Sequence, residues 1–293
     1  MNFLARIILI GLVGPLTAVA ATEQFEVVEA LPYSQADPIC RLDLYLPSEA
    51  TAPVPCVIVI QGGGFRAQNG QKFKPFAEHL ARQGIAAALI GYRGLPDHTY
   101  TKTVSDVKTA ARFLRKISGD HGIDPDRIGA MGRSAGATLA ALAVTTRGKP
   151  AFLGRGEHSS FSSRIQAVVG IAGVYDFVAR FVDEDQRALQ PNLDAKMLSN
   201  DAWIGTPFSA NDPRWEKASA STHIDKNDPP MLLLQSRDDN TVPWMQSRNF
   251  HDQLVAAGVA AEWHLAESGG HAGPVDSKAR MVAFFRRVLS NPD

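Results

Sequence analysis

Cysteine is scarce in this chain: Cys40 and Cys56 are the two thiols in 293 residues. So few exclude a disulfide-stapled scaffold and leave stability to the burial of apolar surface. No charge of either sign predominates, since 30 lysines and arginines balance 30 aspartates and glutamates, and no basic cluster stands out. That balance argues against a nucleic-acid-binding face, which needs concentrated positive charge. Beyond residue 21 no apolar run is long enough for a transmembrane helix. Internal repeats and low-complexity tracts are missing as well. Histidine, cysteine and carboxylates do not group at metal-ligand spacing. Neither G-x-G-x-x-G nor G-x-x-x-x-G-K-[ST] occurs, so the glycines carry no nucleotide signature. No cofactor is expected.

What is present begins with an export signal. Residues 1–21 read as a signal peptide, with Arg6 as the lone charge, an apolar stretch from Ile7 to Leu16, and Ala18-Val19-Ala20 as the cleavage site. Gly11, Gly14 and Pro15 interrupt the apolar stretch, which argues against a retained anchor, and no cysteine follows the cut to carry a lipid. The expected product is secreted or periplasmic, with residues 22–293 forming one domain. About 270 residues suffice for one large α/β core.

Strand-like and helix-like segments alternate along most of the chain, which predicts an α/β fold with a mostly parallel sheet covered on both faces. Phe25–Val28 and Cys40–Leu46 read as an opening antiparallel pair. Cys56–Ile60, Ala86–Ile90, Ile165–Ile171, Met231–Gln235 and Ala261–Leu265 read as further strands. Helices are predicted near 73–83, 244–257 and 275–289. Val104, Val107, Ala110, Ala111, Leu114 and Ile117 recur at helical spacing and give another helix one apolar face. The stretch 176–222 has no clear period and reads as an excursion over the sheet rather than a separate cap domain.

Gly132-Arg133-Ser134-Ala135-Gly136 joins a strand-like run to a helix-like one. A serine on such a sharp turn projects its hydroxyl clear of the backbone, which makes Ser134 a candidate nucleophile. A hydroxyl needs a base, and the base needs an orienting group. His271 sits in Ser268-Gly269-Gly270-His271-Ala272-Gly273, a flexible loop after the last strand, and is the candidate base. Asp238 and Asp239 follow the strand 231–235, and either can serve as the acid. Gln61-Gly62-Gly63-Gly64-Phe65 follows another strand, and its backbone N–H groups, with that of Ala135, suit an oxyanion. Trp203, Trp215 and Trp244 lie in or near loops above the sheet, where they either stack on sugar rings or pack the excursion onto the core.

These motifs together resemble the α/β-hydrolases, specifically the hormone-sensitive-lipase-like branch that includes bacterial carbohydrate acetyl and feruloyl esterases. The resemblance spans roughly 40–290 and takes in Gln61–Phe65, Gly91-Tyr92-Arg93, Gly122–Gly129, the serine turn, Asp228-Pro229-Pro230, Asp239-Asn240-Thr241-Val242-Pro243 and Gly269-Gly270-His271. It implies a catalytic set of Ser134, His271 and Asp239, the acid that precedes x-x-V-P, and an oxyanion hole from Gly63, Gly64 and Ala135. It implies a serine esterase that cleaves small acyl esters of a small molecule or polysaccharide such as xylan. An amidase and a peptidase of the prolyl-oligopeptidase kind share the same triad order, and a non-catalytic binding protein could share the scaffold. The resemblance also implies a strand between those beginning at Cys40 and Cys56, and hence no disulfide. Gln61 stands where the family has histidine, which bears on how the oxyanion loop is braced, and Ala137-Thr138 replaces a common glycine-histidine pair.

Overall fold

A computed structural model describes residues 24–154 and 156–290. The expected signal peptide at 1–21 lies outside the described residues. Eight strands form one sheet: β1 (Phe25–Pro32), β2 (Arg41–Pro47), β3 (Val54–Ile60), β4 (Ala86–Ile90), β5 (Ile123–Arg133), β6 (Ala167–Ile171), β7 (Met231–Ser236) and β8 (Ala261–Ala266). Their order is β1-β2-β4-β3-β5-β6-β7-β8. β1 and β2 pair antiparallel, β2 runs antiparallel to β4, and every later pairing is parallel. The predicted opening hairpin and parallel body are both present. β4 lies between β2 and β3, so the neighbourhoods of Cys40 and Cys56 are separated by a strand. Both thiols are buried and free, and burial pushes each up to about 12.

Nine helices are defined among the described residues: α1 (Lys74–Arg82), α2 (Tyr100–Ile117), α3 (Ala135–Thr145), α4 (Phe177–Val182), α5 (Glu184–Ala188), α6 (Leu193–Ile204), α7 (Pro213–Lys217), α8 (Met245–Ala256) and α9 (Ser277–Val288). None is long and apolar enough to cross a membrane. The side-chain alternation of β3 shows how the layers form. Val57 and Val59 join Leu80 of α1 and Phe285 of α9 on one face. Cys56, Ile58 and Ile60 join Val107 of α2, Leu139 of α3 and Leu254 of α8 on the other. A strand buried on both faces reads as a continuous apolar run, as this one does.

The stretch 176–222, read as an excursion without clear period, folds into the four helices α4 to α7. Three of these helices have only five or six residues, too few to display a 3.6-residue period.

α2 departs from its predicted amphipathic pattern because its polar face is covered too. Arg115 donates to the carbonyls of Ser162 (2.8 Å) and Arg164 (2.6 Å), and Arg112 to that of Leu153 (2.9 Å). Lys108 is fully buried and donates to the carbonyl (2.7 Å) and hydroxyl (2.9 Å) of Thr146, which caps the C-terminus of α3. A cation suits a helix C-terminus. Burial nevertheless pulls this ammonium down to about 7, with Arg112 and Lys149 adding to the effect.

A depressed lysine costs stability while charged, and the cost is relieved as pH rises. The native state releases the proton near pH 7, whereas the unfolded chain holds it to about 10.4. Stability therefore gains up to about 1.4 kcal/mol per pH unit in that window from this group. Denaturant unfolding of wild type and Lys108→Met at pH 6 and pH 9 checks the sign. The stability of the methionine variant relative to wild type falls between the two, and a constant difference would contradict the assignment.

Candidate active site

Ser134 lies between β5 and α3 with φ 57° and ψ −127°, a conformation that costs an L-residue of order 1–3 kcal/mol. Close backbone approach on both sides holds it there. A Cβ at Gly132 would run into the backbone of Gly136, and one at Gly136 into the carbonyl of Ile60 at the end of β3. The Ser134 N–H donates to the carbonyl of Ile171 at the end of β6 (2.8 Å). The two motif glycines thus let three strand ends and a helix N-terminus meet at one point.

His271 and Asp239 reach the same edge from the ends of β8 and β7. His271 Nε2 lies 2.8 Å from Ser134 Oγ, and His271 Nδ1 lies 2.9 Å from Asp239 Oδ2. An ionised carboxylate only accepts, so Nδ1 carries the proton and Nε2 is left to accept from the serine hydroxyl. Asp239 is 2% exposed. Its Oδ2 also accepts from Gln235 Nε2 (2.9 Å), and its Oδ1 from the N–H groups of Thr241 (2.8 Å) and Val242 (3.0 Å). Burial alone would raise this carboxyl. The His271 hydrogen bond and charge, with the two backbone donors, outweigh that and hold it below its usual range.

Asp238 serves the same loop differently. Its exposed carboxylate accepts from the N–H of Gly270 (2.8 Å) and of Gly269 (3.3 Å), so it ties down the backbone that carries His271. Adjacent carboxylates therefore hold the ring and the loop separately.

The loop at 61–65 is braced by Gln61, which is buried. Its amide nitrogen donates to Gln68 Oε1, its side-chain oxygen accepts from the Lys72 N–H (2.8 Å), and its carbonyl accepts from the Tyr92 hydroxyl (2.6 Å). Glutamine thus supplies bracing of its own at the position where the sequence departs from the family's histidine. Beside Ser134 is a cavity of about 210 Å³, lined by Gly64, Phe65, Ala135, Val174, Arg180 and Lys196 among others. Gly63 does not line it, and a Cβ there would run into the Gln68 side chain. Ala135 is the first residue of α3, so its N–H is one of that helix's unpaired donors.

The tryptophans divide between packing and surface. Trp203 is fully buried, stacks on Phe65 with ring centroids 3.8 Å apart, and donates to Thr103 Oγ1 (3.2 Å). Trp215 is fully buried against Phe181 and Phe208. Neither has a face free for a sugar ring. Trp244 is half-buried, parallel to Trp263, with the guanidinium groups of Arg237 and Arg248 over its ring at 5.0 and 5.1 Å. The sequence offered no sign of Arg180 and Lys196 at the cavity, since both fall in the aperiodic stretch.

A family model described as BD-FAE matches residues 42–254. The chain belongs to the BD-FAE family. It is 34% identical over 207 residues to a probable carboxylic ester hydrolase, LipM, of Mycobacterium tuberculosis, which covers 70% of this chain and 46% of that protein. The chain spans about half the length of the curated relatives it matches. Among solved structures, a truncated carbohydrate esterase from gut microbiota superposes with TM-score 0.81 at 25% identity, covering 92% of this chain and 99% of that one. A bifunctional GH43-CE protein of Bacteroides eggerthii gives TM-score 0.80 at 28% identity, covering 90% of this chain and 38% of that one. This BD-FAE chain has the α/β-hydrolase fold.

The turn geometry makes a stability prediction independent of any activity. Gly136→Ala forces a methyl into the Ile60 carbonyl, which cannot give way without moving β3. The expected cost exceeds about 3 kcal/mol, seen as insoluble expression or a collapsed melting temperature. A variant melting within a degree or two of wild type would contradict it.

Proposed function

We propose that this chain is a serine carboxylester hydrolase acting on small acyl esters, such as acetyl groups on a plant polysaccharide like xylan. The observation that carries the reading is the single imidazole bonded at one nitrogen to Ser134 Oγ and at the other to buried Asp239. Such a hydroxyl attacks an ester carbonyl while His271 takes its proton, and the acyl group passes to Ser134 Oγ. Asp239 keeps the imidazole oriented and stabilises the imidazolium that forms. The tetrahedral oxyanion falls to the N–H groups of Gly63, Gly64 and Ala135, the last at the positive end of α3. His271 then returns the proton to the leaving alcohol, and water repeats the sequence to free the acid.

Support for the substrate class comes from the cavity of about 210 Å³, which suits a short acyl chain, and from the similar fold of the gut-microbiota carbohydrate esterase. The family model and the carboxylic ester hydrolase relative support ester over amide chemistry. Residues 1–21 support export, which would bring the enzyme to an extracellular polymer.

Ser134→Ala is expected to lower kcat toward p-nitrophenyl acetate by on the order of 10⁴–10⁶ and to abolish labelling by a fluorophosphonate probe, as deletion of a triad nucleophile does. Retained turnover or labelling would remove Ser134 from the mechanism. Wild type should release acetate from acetylated xylan well ahead of ferulate from a feruloylated one. The reverse order would reject the acetyl-type reading.

A further inference from the structure

The wall of the Ser134 cavity carries two cations that the mechanism above does not use. Arg180 of α4 is 4% exposed and reaches that wall. Its three hydrogen bonds run to neutral acceptors: Gln190 Oε1 (2.8 Å), Asn200 Oδ1 (3.3 Å) and the carbonyl of Thr241 (2.9 Å). A guanidinium has five N–H donors, so two are left over. Lys196 of α6 lines the same cavity and donates to the carbonyl of Asn240 (2.7 Å), again a neutral group. Among the described residues no carboxylate lies within ion-pair distance of either cation.

The negative charge that acts on both is Asp239, whose oxygens are already committed to His271, Gln235, Thr241 and Val242. Asn200, which also lines the cavity, spends its oxygen on Arg180, and among the described residues its amide NH₂ donates to no protein group. The cavity is therefore rich in donors and positive charge, and it lacks the anion that would balance them. Burying a guanidinium without a charged partner is costly unless a bound group completes it. Burial draws Arg180 down to about 10, and burial with the Arg180 charge draws Lys196 down to about 8.

We infer that Arg180 and Lys196 form a carboxylate-binding subsite beside Ser134, so that the preferred substrates are esters bearing a carboxylate on the half that occupies this cavity. This deepens the esterase reading and rests on it. Two chemical sources share that recognition: a half-ester of a dicarboxylic acid, with the charge on the acyl side, and an ester of a hydroxy acid such as a uronic acid, with the charge on the alcohol side.

Two matched pairs separate the sources. On the acyl side, p-nitrophenyl hydrogen succinate is compared with p-nitrophenyl butyrate. On the alcohol side, 3-acetoxybenzoate is compared with 3-acetoxybenzamide. In one pair, wild type is expected to favour the anionic ester in kcat/KM by about tenfold or more, the scale of a charge-assisted bidentate contact. Arg180→Gln and Lys196→Gln should each erode that ratio, chiefly through KM of the anionic member. A merely structural Arg180 would lower both members together and leave the ratio unchanged. If Arg180→Gln does not fold, the partly exposed Lys196→Gln and the wild-type ratios decide alone. Turnover of the neutral esters with no anionic preference in either pair, or ratios unmoved by both substitutions, overturns the subsite while leaving the esterase reading intact. Absence of turnover of all four esters overturns both.

Discussion

Backbone packed directly on backbone at residues 132–136 is the constraint from which the rest of the site follows. A serine at φ 57° persists only if its surroundings over-determine it, and here β3, β6 and the first turn of α3 all press on the same five residues. Once that turn is set, the hydroxyl position is set, and the ends of β7 and β8 need only deliver a carboxylate and an imidazole to it. Parallel pairing of those two strands through Met231–Ser236 and Ala261–Ala266 brings their following loops to the same edge. The geometry at 134 is thus a consequence of how closely three strands can end together, which is why glycine occupies both flanking positions.

The electrostatics of the site divide cleanly. Asp239 is buried, fully engaged and anionic, and its partners are donors placed around it by one tight turn. Asp238, one residue earlier and exposed, spends its charge on the loop backbone instead. The opposite arrangement holds across the cavity, where Arg180 and Lys196 meet only neutral acceptors. Elsewhere the interior satisfies buried cations with carbonyls, as Lys108 does at the end of α3 and Arg115 does with Ser162 and Arg164.

Local patterns carried most of what could be read from residues alone. The serine turn, the strand 56–60 and the glycine-rich loops at 61–65 and 269–273 announce themselves because their constraints act within a few residues. The two aspartates at 238 and 239 were separable only by family resemblance, since both are ordinary turn residues and their distinct partners lie some thirty positions away. The polar face of α2 reads as a solvated surface, and nothing nearby in sequence shows that the segment following α3 covers it. Three of the four helices between 177 and 217 escaped notice because they have only five or six residues, and the twelve-residue α6 because its apolar residues do not gather on one face. Long-range burial, not local propensity, decides those regions.

The stacking of Trp203 on Phe65 has a wider consequence. Phe65 directly follows the glycines of the loop beside Ser134 and itself sits at positive φ, and the ring that presses on it comes from α6. That segment is therefore a clamp rather than a decoration. Any change to that segment is also a change to the support of the loop beside Ser134.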